Sequence, residues 1–341
     1  MITGNNILIV RTDRIGDVVL SLPLAQSIKR AYPESKITFL LRNYTKRLAL
    51  GNPFIDMVLV LLEKETKPLL RENIKILSKE KYDTCIVVYP TFAVALILFF
   101  SGIKNRIGSG YRWYSFLFTH KIYEHRKDAK KHELEYNFNL LKILGITETP
   151  VEGKVEFNLS PDDESESRIN SLLAKHNIDT GKPIVIIHPG SGGSSIDLPF
   201  EKYKELLKEI SKLNVSIFLT GNSNEFDYCR SVAGGFNAIN LAGELELGGL
   251  ISLLNRCSVF ISNSTGPLHI AAALGKFSVG FYPRIPACSQ KRWGPYTDKK
   301  MIFEPEIECH DCSREQCERL NCMNSIDIKK VFKVIEERLK I

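Results

Sequence analysis

The stretch ILIVRTDRIGDVVLSLPLA, residues 7 to 25, places several reactive side chains directly after an apolar run. Four charged residues fall within seven positions: Arg11, Asp13, Arg14 and Asp17. Gly16 permits a tight turn there, and the following helix would begin near Asp17. The carboxylate of Asp17 could cap that helix, or it could face a ligand as a general base. The residues alone favour the cap.

A second candidate for chemistry is VFISNSTGPLHIAAALG, residues 259 to 275, where a buried strand leads into a helix. Ser264 and Thr265 are cap candidates, and Pro267 suits the first helical position. The unpaired amides and the positive dipole end of such a helix bind anions, so this start is a natural site for a diphosphate, with His269 as a further donor. A capped core helix with a satisfied histidine is the alternative.

The segment GSGGSS, residues 190 to 195, follows another apolar run and offers a second anion site. Its glycines let the backbone approach an anion closely, and its hydroxyls can donate hydrogen bonds. The spacing is neither G-x-G-x-x-G nor G-x-x-x-x-G-K-[ST], so neither a dinucleotide nor a Walker-type triphosphate site is predicted. An ordinary glycine-rich turn is the alternative, but two anion sites in one half of the chain favour a phosphate-bearing ligand.

Four of the eight cysteines form a cluster near the end of the chain, in the pattern C-x2-C-x4-C-x4-C: Cys309, Cys312, Cys317 and Cys322. This cluster could bind a structural metal, pack as reduced thiols or form oxidised pairs. The spacing matches no standard zinc finger, and a cytoplasmic location disfavours disulfides. Three other cysteines stand in apolar settings and are predicted to lie in the core: Cys85, Cys229 and Cys257.

The 341 residues are 44% hydrophobic and 25% charged, which excludes a disordered chain and allows two domains with separate cores. No N-terminal segment has the layout of a signal peptide, so a cytoplasmic protein is expected. The longest apolar run, residues 92 to 103, has only about half the length that a membrane-spanning helix needs. A buried strand or helix is expected there.

The net charge of +7 is unevenly distributed, because residues 104 to 131 hold eight basic side chains, two acidic ones and six interleaved aromatic ones. The basic residues are Lys104, Arg106, Arg112, Lys121, Arg126, Lys127, Lys130 and Lys131. Such a surface could bind nucleic acid, anionic lipid headgroups or a phosphorylated substrate, or it could be a solvated face over an apolar core. No nucleic-acid-binding motif accompanies it, and no nucleic acid partner is expected.

Apolar runs alternate with helical patterns, which is typical of an α/β fold whose parallel sheet is covered on both faces. Strands are predicted at residues 7–10, 37–41, 57–62, 84–89, 184–190, 216–221, 239–243, 259–264 and 279–282. Helices are predicted at residues 18–32, 67–80, 132–145, 200–213, 224–232, 247–255, 267–274 and 327–339. Pro23 interrupts the first of these helices or begins it.

A polar connection near residues 150 to 164 divides the chain into two doubly wound domains, residues 1–160 and 161–326. Ligands of such folds bind at the carboxyl ends of the strands. The closing segment, residues 327–341, could cross back and pack on the first domain.

Seven motifs resemble, in the same order, those of the ADP-heptose:lipopolysaccharide heptosyltransferase family, glycosyltransferase family nine: ILIVRTDRIGDVVLSLPL, GIKNRIGSGYRW, IIHPGSGG, NLAGELEL, ISNSTGPLHIAAALG, KRWGP and the tail CHDC…C…CM. The resemblance covers nearly the whole chain. It implies the GT-B architecture, in which two Rossmann-like domains face each other across a cleft, the first binding the acceptor and the second the nucleotide sugar. It also implies an inverting, metal-independent transfer in which Asp17 deprotonates the acceptor hydroxyl.

The resemblance also assigns binding residues. The donor-binding candidates are Gly190, Ser191, Gly192, Gly193, Ser194, Glu225, Leu245, Ser264, Thr265, Gly266, Pro267 and His269. The acceptor-binding candidates are Arg11, Arg14, Gly16, Arg106 and Arg112. No metal ligand is assigned to the catalytic site.

Two departures from the family pattern concern the donor site. Ser264 stands where the family has an aspartate, so its hydrogen bond to the donor sugar would lose its charge. Residues 196 to 199 are Ile-Asp-Leu-Pro where the family has K-R-W-P, so the lysine expected near the phosphates is absent. The backbone of the glycine loop, Arg11, Arg14 or Arg292 could replace it.

The resemblance therefore implies a transferase that moves a heptose or a related sugar, with ADP-heptose as the expected donor, onto a lipopolysaccharide core, and that requires no cofactor. It implies a monomer at the inner face of the inner membrane of a Gram-negative bacterium, in contact with a lipid-linked oligosaccharide and an anionic membrane surface. One alternative keeps the chemistry but uses another nucleotide sugar for another surface glycan. The others are a non-catalytic nucleotide- or nucleic-acid-binding protein and a metalloprotein organised by the tail cysteines.

Overall fold

The structure, a computed structural model, describes residues 5–179, 181–307 and 313–339, and the chain divides into two compact units. The first unit comprises Met1–Arg126 and Glu133–Leu159. The second comprises Lys127–His132 and Ser160–Ile341. Each unit contains its own parallel sheet, as the predicted α/β fold requires.

The first unit is built on a six-stranded parallel sheet with the order β3-β2-β1-β6-β7-β8. Its strands, with a small antiparallel hairpin β4-β5, are β1 (Asn6–Val10), β2 (Lys36–Leu41), β3 (Met57–Val60), β4 (Glu63–Lys64), β5 (Lys67–Pro68), β6 (Thr84–Val87), β7 (Asn105–Ser109) and β8 (His120–Ile122). Its helices are α1 (Ile15–Val19), α2 (Pro23–Ala31), α3 (Leu70–Glu80), α4 (Phe92–Phe100) and α5 (Glu133–Asn139). The central strand β1 is buried because both neighbours, β2 and β6, pair with it.

The second unit repeats this topology with the strand order β11-β10-β9-β12-β13-β14. Its strands are β9 (Ile184–His188), β10 (Ser216–Leu219), β11 (Ala238–Asn240), β12 (Val259–Asn263), β13 (Phe277–Phe281) and β14 (Lys300–Phe303). Its helices are α6 (Asp163–Lys175), α7 (Phe200–Ile210), α8 (Phe226–Ala233), α9 (Leu247–Arg256), α10 (Gly266–Ala273), α11 (Gln290–Trp293), α12 (Arg314–Arg319) and α13 (Ile328–Leu339). Both sheets have the doubly wound order of Rossmann-like folds, which confirms the predicted fold class.

Short 3-10 helices complete the two units: Asn43–Leu48, Ser115–Leu117, Arg126–Asp128, Leu140–Leu144, Ser223–Glu225, Pro286–Cys288 and Cys322–Ser325. Among the described residues, no helix combines the length and the apolar character that a bilayer-spanning segment needs.

Two local predictions need correction, and the choice between a strand and a helix at residues 92–103 is decided. The single helix predicted at residues 18–32 is two helices, α1 and α2, because Pro23 begins the second one. Gly16 lies inside α1 and not in a tight turn. The apolar run at residues 92–103 contains the helix α4, whose first turn is capped by Thr91 Oγ1 accepting from the Val94 amide at 3.3 Å.

The sequence left open whether the closing helix α13 crosses back to the first domain, and the structure places this helix in the second unit. Its buried side chains, Val331 and Ile335, belong to the apolar core of the second unit, where α13 packs against α7. Apolar spacing identified the helix and its buried face, but it carried no information about which sheet that face would cover.

Candidate functional site

The two predicted anion sites of the second unit meet at the point where its strand order reverses. The glycine loop follows β9, and the start of α10 follows the neighbouring strand β12, so both lie at the carboxyl ends of paired strands. Ser194 Oγ donates to the Ser264 carbonyl oxygen at 2.9 Å, which joins the loop to the helix start. We therefore treat the loop and the helix start as one site, the phosphate-site candidate.

Asn263, the last residue of β12, fixes the glycine loop from beneath. Its side-chain nitrogen Nδ2 donates to the Pro189 carbonyl at 2.6 Å. Its side-chain oxygen Oδ1 accepts from the Leu198 backbone amide at 2.8 Å. Asn263 is fully buried, and its two bonds hold the residues on either side of the loop. Sequence reasoning missed this role, although a lone amide inside an apolar strand was a usable signal.

The start of α10 keeps its amides available. Thr265 occupies the cap position, but no side-chain cap bond forms there among the described residues, because its hydroxyl pairs with Ser262 Oγ at 2.8 Å. Gly266 is the first helical residue, and Pro267 follows it instead of beginning the helix as predicted. Helical amides without a side-chain cap, at the positive end of the helix dipole, suit an anion.

Two buried histidines flank this site. Burial lowers the pKa of His269 to about 3, with His132 and Lys300 adding to the effect. Burial likewise lowers the pKa of His188 to about 4. Both imidazoles are therefore neutral near pH 7. His269 Nδ1 is buried and has no hydrogen-bond partner among the described residues, which leaves one ring atom ready to receive a ligand group.

Glu225 lies beside the glycine loop because a capping box holds it there. Its Oε2 accepts from the Asn222 amide at 2.8 Å, and the Asn222 side chain caps the same turn in return. A Cβ placed on Gly190 would come within 1.9 Å of Glu225 Oε1. A glycine is thus required at position 190, because the Glu225 carboxylate lies so close to it. Leu245, the remaining predicted donor residue of this unit, is part-buried in the loop before α9.

We expect Gly190→Ala to raise the KM for the donor about tenfold, because the new methyl group must displace the Glu225 carboxylate. Steady-state kinetics at saturating acceptor measures this change. Gly249→Ala is the matched control, since its Cβ would meet only ordinary contacts at 3.6 Å or more. An equal KM for both variants would show that Glu225 does not shape the donor site.

Arg314 of α12 is a cation that binds the glycine loop. The sequence analysis did not name it. Its guanidinium donates to the Gly193 carbonyl at 2.9 Å and to the Ser195 carbonyl at 3.0 Å. Arg292, one of the predicted substitutes for the missing lysine, lies with its guanidinium over the Trp293 ring instead. Arg314 therefore brings positive charge to the loop where the family lysine is absent.

The acids of the first unit surround a buried arginine at the end of β1. Arg11 is 2% exposed, and its Nε donates to Asp13 Oδ1 at 2.8 Å, while its Nη2 donates to Asp17 Oδ1. Glu133 lies 3.7 Å from Nη2, and Asn137 Oδ1 lies 3.4 Å from Nη1. Burial lowers the pKa of Arg11, but the three carboxylates raise it more, so the guanidinium stays charged.

This geometry contradicts one of the two interpretations of Asp17. The cap position of α1 is held by Arg14, and Asp17 is the third residue of the helix, so the cap prediction is wrong. The Asp17 side chain is 15% exposed and its Oδ1 accepts from Arg11, so the carboxylate is oriented and partly accessible. Arg11 itself is too deeply buried for the predicted contact with an acceptor and acts on Asp17 instead.

Burial raises the pKa of Asp13 to about 7, with Arg11 opposing and Asp17 adding to the effect. The folded chain then holds a proton that the unfolded chain, with an ordinary aspartate pKa of about 4, has released. The free energy of unfolding should therefore fall as the pH rises from about 4 to about 7, and Asp13→Asn should remove that part of the fall.

Urea unfolding at about pH 4.5 and about pH 7.5 tests this expectation. Asp56→Asn is the control, because the Ile37 amide and Lys29 outweigh burial and lower the pKa of Asp56, which places its titration below that range. If Asp13→Asn and the parent chain show the same pH dependence, Asp13 does not retain its proton in the folded state.

The other acceptor candidates differ in their availability. Arg14 and Arg112 are exposed, whereas Gly16 is buried. Arg106 donates through Nε to the Leu117 carbonyl at 2.7 Å and lies over the Phe99 ring, so it holds a surface loop. Polar spacing on α5, where Glu133 and Asn137 are four residues apart, was the signal that could have located the partners of Arg11.

The tail cysteines are only partly described. Cys317 and Cys322 are buried in the apolar core of the second unit, whereas Cys309 and Cys312 lie outside the described residues. Within residues 5–179, 181–307 and 313–339, no three His, Cys, Asp or Glu side chains are grouped to hold a metal ion. Cys85, Cys229 and Cys257 are buried, as their apolar settings predicted.

Known proteins resemble this chain in sequence and in fold. The family model of glycosyltransferase family 9 (heptosyltransferase) matches residues 70–323. Lipopolysaccharide heptosyltransferase 2 of Escherichia coli K12 is 23% identical over 287 residues, which cover 81% of this chain and 82% of that protein.

Two solved structures share the fold over almost the full length. The glycosyl transferase family 9 protein of Veillonella parvula superposes with a TM-score of 0.84 at 19% identity, covering 99% of this chain and 98% of that one. The E. coli ADP-heptose lps heptosyltransferase II superposes with a TM-score of 0.80 at 20% identity, covering 98% of each chain.

Proposed function

We propose that this chain, which belongs to glycosyltransferase family 9, the heptosyltransferase family, transfers a heptose from ADP-heptose to a lipopolysaccharide core. Its membership makes it a glycosyltransferase; the sugar, the acceptor and the mechanism are the proposal. The observation that carries it is the phosphate-site candidate, in which the glycine loop and the start of α10 are joined by the bond from Ser194 to Ser264.

This site suits a nucleoside diphosphate as the leaving group. When the bond between the anomeric carbon and the phosphate oxygen breaks, its electron pair moves to the diphosphate, which gains negative charge. Backbone amides at the start of α10 and the neutral imidazole of His269 can stabilise that charge without moving at the moment of reaction. Arg314 adds positive charge at the loop, and Ser264 keeps the site free of the carboxylate that the family places there.

Asp17 is the proposed general base. Its carboxylate takes the proton of the acceptor hydroxyl as that oxygen forms a bond to the anomeric carbon, and one displacement inverts the configuration. Arg11 holds the carboxylate by a hydrogen bond to Oδ1, which leaves Oδ2 for the acceptor. A base fixed in this way needs no further ordering before it reacts.

The relatives support the choice of sugar and acceptor. Their names include lipopolysaccharide heptosyltransferase 2 of E. coli and of Salmonella typhimurium, and an E. coli structure with a TM-score of 0.73 contains ADP. We extend these names to this chain as a proposal, together with action as a monomer on the cytoplasmic face of the inner membrane.

A panel of nucleotide sugars tests the donor. The pure protein is incubated with ADP-heptose, ADP-glucose, UDP-glucose and GDP-mannose, each with a lipid A-type acceptor that carries the inner core sugars. We expect only ADP-heptose to be consumed, with a product heavier by one heptose. Preferred use of another donor would support the alternative of a transferase for a different nucleotide sugar. Ser264 and Ile196 suggest this alternative, because both differ from the family pattern.

A chelator tests the metal-independent mechanism. Transfer after dialysis against EDTA is expected to proceed at the original rate, because amides, His269 and Arg314 stabilise the leaving group in this proposal. A rate that falls on chelation and returns with added Mg²⁺ or Zn²⁺ would contradict that mechanism. Elemental analysis of the same samples reports whether the tail cysteines carry a metal.

A further inference from the structure

Helix α4 presents an apolar side to the outside of the first unit. Val94, Ala95, Ile97 and Leu98 are buried against the sheet. Phe92, Phe99 and Phe100 are exposed on the other side, and Phe100 keeps 62% of its surface. A surface helix normally carries polar residues there, so the outer side of α4 is unusual for a helix that borders only water.

Two more exposed aromatic rings belong to the segment that follows β7, and one of them contacts α4. Trp113 is 72% exposed, and its ring centroid lies 4.6 Å from that of Phe92. Phe116 is also exposed and belongs to the 3-10 helix Ser115–Leu117, which packs against α4. We call the set Phe92, Phe99, Phe100, Trp113 and Phe116 the aromatic face.

The segment that carries Trp113 and Phe116 is held in place. Tyr114 OH donates to the Pro90 carbonyl at 2.7 Å, and Arg106 Nε donates to the Leu117 carbonyl at 2.7 Å. The Arg106 guanidinium also lies 5.2 Å from the centroid of the Phe99 ring. The aromatic rings are therefore presented by a fixed loop, and a partner would not need to order them.

Exposed cations lie on the elements next to α4. Helix α3 packs against α4 and exposes Lys75 and Lys79, and Lys104 and Arg112 are exposed in the loops that follow α4. Aromatic rings beside lysines and arginines are typical of surfaces that bind the headgroup region of anionic bilayers. Each cation near such a surface adds to the attraction, and the rings bury apolar area among the acyl chains.

We infer that the aromatic face docks the first unit on an anionic lipid bilayer. The rings enter the boundary between headgroups and acyl chains, and Lys75, Lys79 and Lys104 lie among the lipid phosphates. The inference rests on the proposed function in one respect, since a transferase that acts on a lipid-linked acceptor must bind the membrane that contains it. The docking element is α4 with its neighbours, and not the whole basic segment at residues 104 to 131.

Vesicle sedimentation tests the docking without any sugar transfer. The full chain is mixed with vesicles of phosphatidylcholine alone, and with vesicles that contain an equal part of phosphatidylglycerol. We expect binding to the anionic vesicles, and at least about a tenfold lower partition coefficient for the double variant Phe99→Ser/Phe100→Ser. Leu320→Ser is the matched control, because Leu320 is 60% exposed in the second unit.

A charge variant separates the two forces. Lys75→Gln/Lys79→Gln should weaken binding to the anionic vesicles about tenfold or more and leave any binding to neutral vesicles unchanged. If the double phenylalanine variant binds anionic vesicles as tightly as the parent chain, the inference is wrong. It is also wrong if the parent chain does not bind vesicles and forms a larger oligomer that the phenylalanine variant abolishes. The aromatic face would then bind a second copy of the chain.

Two acceptors separate this inference from the proposed function. Transfer is measured to an acceptor embedded in anionic vesicles and to the same acceptor after removal of its acyl chains. We expect Phe99→Ser/Phe100→Ser to slow only the first reaction, at least about tenfold at limiting vesicles. A parent chain that binds vesicles but transfers no sugar would overturn the proposed function and leave the docking intact. A variant that transfers to both acceptors at the parent rate would overturn the docking.

Discussion

Replacing Asp17 with asparagine is expected to lower kcat for sugar transfer by about 10²- to 10⁴-fold, the usual contribution of a general base. Asparagine keeps the shape of the side chain, and its oxygen can still accept from Arg11, but it cannot take the acceptor proton. The Kd for ADP should change by less than about twofold, because Asp17 is in the first unit and the phosphate-site candidate is in the second. Single-turnover rates and calorimetric ADP titrations measure the two quantities.

Asp13→Asn is the matched control for this experiment. Asp13 binds the same guanidinium, with its Oδ1 at 2.8 Å from Arg11 Nε, so both variants replace one carboxyl group of the same buried cluster. Only Asp17 is proposed to receive the proton, and we expect Asp13→Asn to retain kcat within about tenfold. Equal losses in the two variants would indicate that the cluster as a whole matters and that Asp17 is not the base.

The central strands could be predicted from the sequence because they are buried on both faces. Runs such as Ile7–Val10 and Val259–Ile261 contain only apolar residues, since their side chains point alternately into two covered layers. The ends of these strands then located the charged and glycine-rich segments that follow them. The positions of Asp17, the glycine loop and Thr265 were predictable for this reason.

Strands β7, β8 and β14 could not be predicted in the same way, although the opposite edge strands, β3 and β11, were predicted. The edge strand β8 has three residues, all part-buried, and its neighbour β7 reads Asn-Arg-Ile-Gly-Ser with two fully buried positions. Such short runs lack the continuous apolar signal of a central strand. Helix α6 was missed inside a polar segment, although Asp162, whose side chain caps it by accepting from the Ser165 amide at 2.9 Å, was a readable start signal.

Contacts between distant parts of the chain could not be predicted from the sequence either. Arg314 lies 121 positions from Gly193, and Arg11 lies 126 positions from Asn137. No local pattern predicts such pairs, because they arise only when helices pack on the sheets. The expectation that Arg11 touches an acceptor failed for this reason, since the sequence shows its charge but not the buried partners that use it.

Replacing Arg11 with methionine is expected to destabilise the first unit by about 3–5 kcal/mol, the cost of removing one partner from a buried ion pair. Methionine fills most of the volume, but the carboxylates of Asp13, Asp17 and Glu133 lose the guanidinium that they share. The midpoint of urea unfolding should fall with little change in slope. The kcat for transfer should also fall, because Asp17 loses the hydrogen bond that orients it.

Arg42→Met provides the matched comparison. Arg42 Nε also lies 2.8 Å from a carboxylate oxygen, that of Glu63, but the Arg42 side chain is 26% exposed, against 2% for Arg11. Water and salt screen the Arg42 pair, so its loss should cost at most about 1 kcal/mol. Equal destabilisation by the two methionine variants would mean that burial does not set the strength of the Arg11 cluster, and the orientation of Asp17 would need another source.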